Sequence, residues 1–113
     1  MARHLEENGI ATVVTGCARD IVEECGVARF VFSDFPLGNP CGKPWDAAMQ
    51  RSILGVTLEL LERAWMPRTT VQTPYQWPND EWRDNFMRVD DSNRDALARA
   101  GKERRELQMK MKK

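Results

Sequence analysis

The sequence predicts an α/β fold: a small βαβ unit with parallel strands and a long covering helix, followed by an extended Trp- and Pro-rich segment and a basic helical tail. Two short runs rich in β-branched and aromatic residues, 10–15 and 29–33, have the composition of buried strands. A helical pattern at 18–25 joins them, and a longer one follows at 46–65. Strand, helix and strand in this order are typical of a parallel βαβ unit.

Length and composition place the chain in the globular class. It has 113 residues, of which 42% are hydrophobic and 30% are charged, which suits one domain. Apolar periodicity is confined to its first two thirds, so the predicted core is small and leaves sheet edges and tryptophans uncovered. We therefore expect a homo-oligomer or a larger partner subunit rather than a folded monomer.

Charge is balanced overall but not along the chain. There are 17 basic and 17 acidic residues, and residues 92–113 hold 8 of the basic and 3 of the acidic ones, which leaves 9 and 14 for residues 1–91. The basic tail is suited to contact the acidic body, a neighbour or a polyanion. Nucleic acid is not the expected partner, because no aromatic residues are interleaved with these cations.

Three cysteines and the absence of a signal peptide indicate a cytoplasmic protein with reduced thiols. No apolar run is long enough to span a membrane.

The predicted α/β core covers residues 1–66. Residues 2–8 have the pattern of a helix that ends at Gly9, and the run 10–15 predicts a strand covered on both faces. Gly16 makes the following turn. The helix at 18–25 ends at Gly26, and its predicted buried face consists of Ala18, Ile21, Val22 and Cys25.

The helix at 46–65 is the longest periodic segment. Asp46 has the position of its N-cap, and Gly55 in its middle suggests the close approach of another backbone. Its predicted apolar stripe is wide enough to cover the sheet, and it contains Met49, Ile53, Val56, Leu60 and Ala64, widened by Leu54, Leu61 and Trp65.

Two further segments follow the core. Residues 67–91 read as an extended docking segment, in which Pro74 favours an edge position over a central strand. Trp65, Trp77 and Trp82 are candidate docking anchors, since large aromatics in a polar, irregular segment are typical of interfaces. Residues 92–113 form a basic tail that is a solvated helix, an arm or partly disordered.

The candidate site lies in the loop after the second strand. Ligands bind open α/β sheets at the carboxyl ends of strands, and the prolines and glycines of residues 35–44 predict a shaped loop there. Asp34 leaves the strand where acidic residues contact a ligand hydroxyl or amine, although capping of the loop is an equal alternative. The candidate ligand-binding residues are Gly16, Asp34, Pro36, Gly38, Asn39 and Lys43.

Two cysteines are candidate catalytic residues. Cys17 lies at the first strand-to-helix turn, where backbone N–H groups and the helix dipole lower a thiol pKa. Cys41 has a glycine beside it for access, and Lys43 is a cation that favours its thiolate. They form a redox pair if the two turns adjoin; the alternatives are a buried filler at Cys17 and unrelated thiols. Cys25 is expected in the core.

A metal site or a catalytic triad is not indicated. His4 is the only histidine, and no C-x-x-C or H-x-x-x-H spacing is present. The sequence identifies no cofactor.

The chain also resembles the C-terminal segment of the selenoprotein B family, the substrate-specific component of glycine, sarcosine, betaine and D-proline reductases. The resemblance extends to the end of the long helix and is carried by three groups of residues: Glu7, Gly9, Ile10, Val13 and Val14; Gly26, Val27 and Arg29; and Pro36, Gly38 and Pro40. In that family the selenocysteine motif lies just upstream of the segment that matches residues 2–8.

This resemblance implies reductive cleavage of a C–N bond in a small amine-containing acid, by attack of a selenol or thiol on carbon. Because the selenocysteine motif is not in this chain, the resemblance implies a small subunit or split C-terminal piece that shapes a pocket, while another chain supplies the nucleophile. The alternative is a non-catalytic interaction or assembly protein, in which the three tryptophans dock and residues 92–113 form an arm.

Overall fold

A computed structural model describes residues 1–111 and has the predicted α/β fold. Three parallel strands form one sheet in the order β1-β2-β3, with Gly16 beside Phe32 and Val31 beside Val71. The strands are β1 (Val14–Gly16), β2 (Arg29–Phe32) and β3 (Thr69–Gln72). The described helices are α1 (Ala2–Glu7), α2 (Arg19–Cys25), α3 (Ala47–Arg63), α4 (Glu81–Asn85) and α5 (Arg94–Met111).

Helices cover both faces of the sheet. Glu23 of α2 hydrogen-bonds the side chain of Thr70 on one face. Thr69 and Val71 point to the opposite face, because side chains alternate along a strand, and there they line a groove with α3. The central strand β2 is therefore enclosed on both sides, and its Phe30 and Val31 side chains are 1% and 0% exposed.

The predicted helix ends at Gly9 and Gly26 are confirmed. Gly9 has φ +78°, and the N–H groups of Gly9 and Ile10 bond back to the carbonyls of Glu6 and Leu5 in the pattern of a Schellman motif. Gly26 is the left-handed C-cap of α2, with φ 70°.

The first strand is shorter than predicted and begins only at Val14. The N–H of Thr12 donates to Glu6 Oε1 at 2.5 Å, and its carbonyl accepts from Arg29 Nη1 at 3.2 Å. The side chains of Glu6 and Arg29 thus bind the N–H and carbonyl of Thr12, which in a strand would bond to the neighbouring strand. The hydrogen-bonded ladder therefore begins two residues after Thr12, at Val14.

The buried face predicted for α2 is only partly correct. Val22 packs on the sheet, but Ile21 is 63% exposed and Cys25 is also exposed. The helix has only seven residues, and the three strands of the sheet have three or four residues each, so there is too little sheet to cover a full helical face.

The long helix α3 begins as predicted, since the N–H of Met49 donates to the Asp46 carboxylate at 3.0 Å. Ile53 and Leu60 are in the core, together with Thr57, whose hydroxyl donates to the carbonyl of Ile53 at 2.8 Å. The expectation of a close backbone contact at Gly55 is not met within the described chain, where nothing lies within 4 Å of an added Cβ.

Trp65 does not belong to the buried stripe of α3. The helix ends at Arg63, Ala64 is extended, and the side chain of Trp65 is 87% exposed.

The α/β unit extends beyond the boundary predicted at residue 66. Residues Met1–Asp80 form one compact unit and Glu81–Lys113 a second. The segment predicted to dock at 67–91 supplies β3 to the first unit, where it is an edge strand as expected. Trp77 packs within this unit against Phe35 and is partly buried.

The second unit consists of α4 and α5. The guanidinium carbon of Arg83 lies 4.6 Å from the centre of the Trp82 ring, and α5 has no buried residue. The helical alternative for the basic tail is thus correct as far as Met111; residues 112–113 lie outside the described chain. No helix in the part of the chain that the structure describes is long and apolar enough to cross a membrane.

Candidate functional site

The candidate site is built where β1 and β2 end side by side. Gly16 lies beside Phe32 in the sheet, and the N–H of Ser33 donates to the carbonyl of Gly16 at 3.0 Å. Parallel strands bring their carboxyl ends to one edge, so Cys17 and Asp34 leave the sheet at the same edge. A residue with a side chain would be crowded at position 16, because a Cβ there would lie 3.0 Å from the ring of Phe30.

The loop after β2 is held in place by its own core residue. Phe35 is completely buried, and its ring lies 5.3 Å from that of Trp77, at an interplanar angle of 57°. The position of Phe35 within a loop gives no sign in the sequence that it is a core residue. This contact anchors the start of the loop and holds the backbone that follows near β1.

Backbone turns shape the rest of the loop, as the prolines and glycines predicted. The Asn39 backbone N–H and side-chain amide each donate to the carbonyl of Pro36 at 3.2 Å. Gly38 has φ +97° at an exposed position, and Lys43 accepts a bond from Gln50 Nε2 at its carbonyl, at 2.6 Å. Asn39 and Lys43 therefore have structural roles in the loop.

Gly42 fixes the loop against α3. Its φ is +108°, it is buried, and an added Cβ would lie 3.2 to 3.3 Å from Met49 and Ile53. Only glycine combines this backbone conformation with so little room.

The thiol of Cys17 lies inside the site, half-buried beneath this loop. Burial raises its pKa above the ordinary value, while the backbone N–H groups of Asn39 and Phe35 act in the opposite direction. The charges of Cys41 and Asp34 add to the increase. The expectation that the helix amino terminus lowers this pKa is therefore wrong, because loss of solvent outweighs the backbone donors.

Asp34 and Cys41 lie close enough to Cys17 for their charges to raise its pKa, so the three residues lie near one another. Both thiols are free; Cys41 is exposed, whereas Cys17 is partly covered. The expected neighbourhood of the two turns is thus present. Cys25 is on the surface at the end of α2 and does not fill the core as predicted.

A pair of buried hydroxyl groups, not predicted from the sequence, lies behind the site. Ser33 and Thr73 are 0% and 3% exposed, and the Thr73 hydroxyl donates to the Ser33 oxygen at 3.3 Å. Ser33 directly follows β2 and Thr73 directly follows β3. These positions at the ends of two neighbouring strands are the signal by which the pair can be predicted, provided that β3 is recognised as part of the sheet.

A second hollow, of about 580 Å³, lies at the opposite edge of the sheet, between α1 and the residues that precede β2 and β3. Arg3, His4 and Arg68 line it. We place the candidate site at the carboxyl edge instead, because the thiols, Asp34 and the shaped loop meet there. Within residues 1–111, no group of three His, Cys, Asp or Glu side chains is arranged to hold a metal ion.

Comparison with models of protein families, with curated proteins and with solved structures found no match to this chain.

Proposed function

We propose that the chain is a small subunit, or a split C-terminal piece, of a reductase similar to the selenoprotein B family, and that it shapes a substrate pocket with a partner chain. The observation that supports this is the meeting of Cys17 with the loop of Asp34 and Cys41 at one carboxyl edge of a parallel sheet. The loop that carries the resemblance, at Pro36, Gly38 and Pro40, is the same loop.

The pocket is suited to a small amine-containing acid. The Asp34 carboxylate lies near Cys17, and a carboxylate favours an ammonium group. The backbone N–H groups of Phe35 and Asn39 donate to the carbonyls of Ser33 and Pro36, so the support for this substrate class comes from Asp34.

In the proposed reaction a selenolate or thiolate of the partner chain attacks the carbon that carries the amine. A bond to carbon forms as the C–N bond breaks, and the amine leaves with the bonding electron pair and takes up a proton. A second thiol or selenol of the partner then attacks that sulfur or selenium atom. A bond between the two chalcogen atoms forms, the bond to carbon breaks and the carbon takes up a proton, so these two groups supply the two electrons that the reduction consumes.

Cys17 is better suited to line this pocket than to act as the nucleophile. A thiol with a raised pKa is almost entirely protonated at neutral pH, and the thiolate is the reactive form. The proposal therefore assigns the nucleophile to the partner and leaves Cys41, which is exposed, as the thiol of this chain that a partner can reach.

Amide NMR of the isolated chain tests the pocket. We expect glycine, sarcosine, betaine or proline to shift the signals of Gly16, Cys17 and residues 34–43 at millimolar concentration, and the variant Asp34→Asn to reduce the shifts. Propionate, which lacks the amine, is the control ligand. Shifts that are absent, spread over the chain or equal with propionate would contradict the proposed substrate class.

A second candidate function, a non-catalytic interaction or assembly protein, has its own supporting observation. Trp45 is completely exposed and has φ 66°, a left-handed conformation that is strained for a bulky residue. Trp65 is exposed as well. Tryptophan is enriched at binding hot spots, so exposed tryptophans favour an interaction surface.

Native mass spectrometry separates the two functions. The protein is expressed alone and together with the chains encoded beside its gene. A complex with a larger chain that carries a selenocysteine or a U/C-x-x-C motif supports the reductase; a complex with an unrelated chain, together with no amine-dependent NMR shifts, supports the assembly protein.

A further inference from the structure

The helix α3 carries a second apolar stripe beside the one that packs on the sheet. Leu54, Leu58 and Leu61 recur at spacings of four and three residues, which places them on one side of a helix. Leu54 is 56% exposed and Leu58 is 52% exposed. Successive residues of a helix are about 100° apart, so this stripe lies next to the core residues Ile53 and Leu60 and continues the apolar face past the edge of the core.

A hollow adjoins this stripe at the amino end of α3. It has a volume of about 450 Å³ and is bounded by Pro44, Trp45, Ala47 and Gln50. Ala47 falls on the same helical side as Leu54 and Leu58, at spacings of seven and eleven residues. The hollow is therefore an extension of the stripe, with the strained and exposed Trp45 as its wall.

Two opposite charges flank the same side of the stripe near its two ends. Arg51 precedes Leu54 and Glu62 follows Leu61; both side chains are exposed, and they fall within about 20° of each other around the helix. In the described chain Glu59 pairs with Arg63 along the helix, at 2.8 Å, whereas neither Arg51 nor Glu62 forms an ion pair.

We propose that this face of α3 binds α3 of a second copy of the chain, in an antiparallel pair. With the twofold axis at the level of residue 56, Leu54 faces Leu58 of the second copy and Leu58 faces Leu54 of the second copy. Leu61 of each copy then lies at the level of residue 51 of the other, next to the hollow bounded by Trp45 and Gln50. The stripe is thus complementary to itself, as a twofold interface requires.

The charges favour the antiparallel direction. A twofold axis across the helices keeps each flank on the same side, so Arg51 meets Glu62 of the second copy at both ends of the pair. A parallel pair would leave these charges without their opposite partners. The charges therefore favour a second copy of the same chain as the partner, in the antiparallel orientation.

This interface does not depend on the proposed reductase function, since it lies on α3 rather than at the edge with Cys17. Its first test is the mass of the full chain in solution, measured by sedimentation equilibrium at low salt. We expect a dimer of twice 13.0 kDa. Leu58→Glu should weaken association by about 100-fold, because a symmetric dimer buries two copies of the new carboxylate.

Ile21→Glu is the matched control for this substitution. Ile21 is 63% exposed on α2, outside the stripe, and its replacement should leave the dimer intact. Circular dichroism shows whether each variant is folded, and Leu54→Glu is the second variant if Leu58→Glu does not fold.

The second test reverses the charges. Arg51→Glu and Glu62→Arg should each weaken the homodimer, by roughly threefold to tenfold, because like charges then meet at both ends. An equimolar mixture of the two variants should form a heterodimer of at least wild-type affinity, since every end again pairs opposite charges. High salt should reduce these differences.

A monomeric wild-type chain at all concentrations would overturn the proposal. So would a dimer that Leu58→Glu and Ile21→Glu affect equally, or charge variants whose mixture associates no better than each variant alone.

Discussion

Arg29 Nη1 lies 2.8 Å from Glu6 Oε1, so the first residue of β2 is tied to α1. The same carboxylate oxygen accepts from the N–H and the hydroxyl of Thr12, at 2.5 and 2.8 Å. One oxygen therefore joins a helix, the approach to β1 and the start of β2. The acidic partner of Arg29 is thus Glu6 rather than the neighbouring Glu7.

The variant Glu6→Gln should destabilise the protein in a pH-dependent way. Bonds from the Thr12 hydroxyl and N–H, and the charge of Arg29, lower the pKa of Glu6 below its ordinary value of 4.5, against an opposing effect of desolvation. A lowered folded-state pKa contributes stability above pH 4.5 that is lost as the pH falls through the folded value.

The test is urea unfolding of both proteins from neutral pH down to about pH 3. The difference in free energy of unfolding should be constant near neutrality and shrink in acid. Glu7→Gln is the control on the same helix, and an equal pH profile for both variants would contradict the assignment.

Phe35→Ala should lower the free energy of unfolding by about 3 to 5 kcal/mol, the usual cost of removing a buried aromatic ring. Phe35 is fully buried against Trp77, although it lies in a loop. The matched control, Leu37→Ala, changes a residue of the same loop that is 56% exposed and should cost less than about 0.5 kcal/mol. Chemical unfolding measures both; similar small losses would show that the loop is not anchored through Phe35.

Gly42→Ala should destabilise the protein more than Gly38→Ala. Both positions have positive φ, +108° and +97°, so both variants carry a backbone strain of about 1 to 2 kcal/mol. Gly42 adds a steric conflict with Met49 and Ile53, whereas nothing lies within 4 Å of a Cβ at Gly38. We expect a further loss of about 1 to 3 kcal/mol at Gly42. Equal melting temperatures for the two variants would contradict the packing of the loop on α3.

The three thiols should react with a mild alkylating agent in the order set by exposure. Cys41 and Cys25 are exposed and should react first, and Cys17 should react last because it is half-buried and its pKa is raised. The exposure of Cys25 differs from the expectation from the sequence, which placed it in the core. Mass-resolved labelling at neutral pH and again near pH 9 is the measurement, and Cys17 should gain most from the alkaline shift. Rapid labelling of Cys17 at neutral pH would contradict its covered position.

Local signals in the sequence were sufficient for the elements of the fold. Gly9 and Gly26 end their helices because a left-handed residue is favourable only for glycine, and Asp46 starts α3 because its carboxylate binds a free N–H. The composition of β2 likewise predicted a buried strand; Phe30 and Val31 are buried, whereas Phe32 is only partly buried. The loop after it was correctly expected to be shaped, because proline and glycine restrict the backbone through local geometry.

What only the tertiary structure decided depends on contacts between distant residues. The burial of Phe35 requires Trp77, the start of β1 at Val14 depends on Glu6 and Arg29, and the exposure of Cys25 reflects how little sheet lies beneath α2. The pKa of Cys17 is raised, whereas the sequence predicted that it is lowered, for the same reason. The helix amino terminus is visible in the sequence, but the loop that excludes water from the thiol reaches it only when β1 and β2 pair. Periodicity identifies an apolar face; whether that face is covered depends on the area that the rest of the fold offers to it.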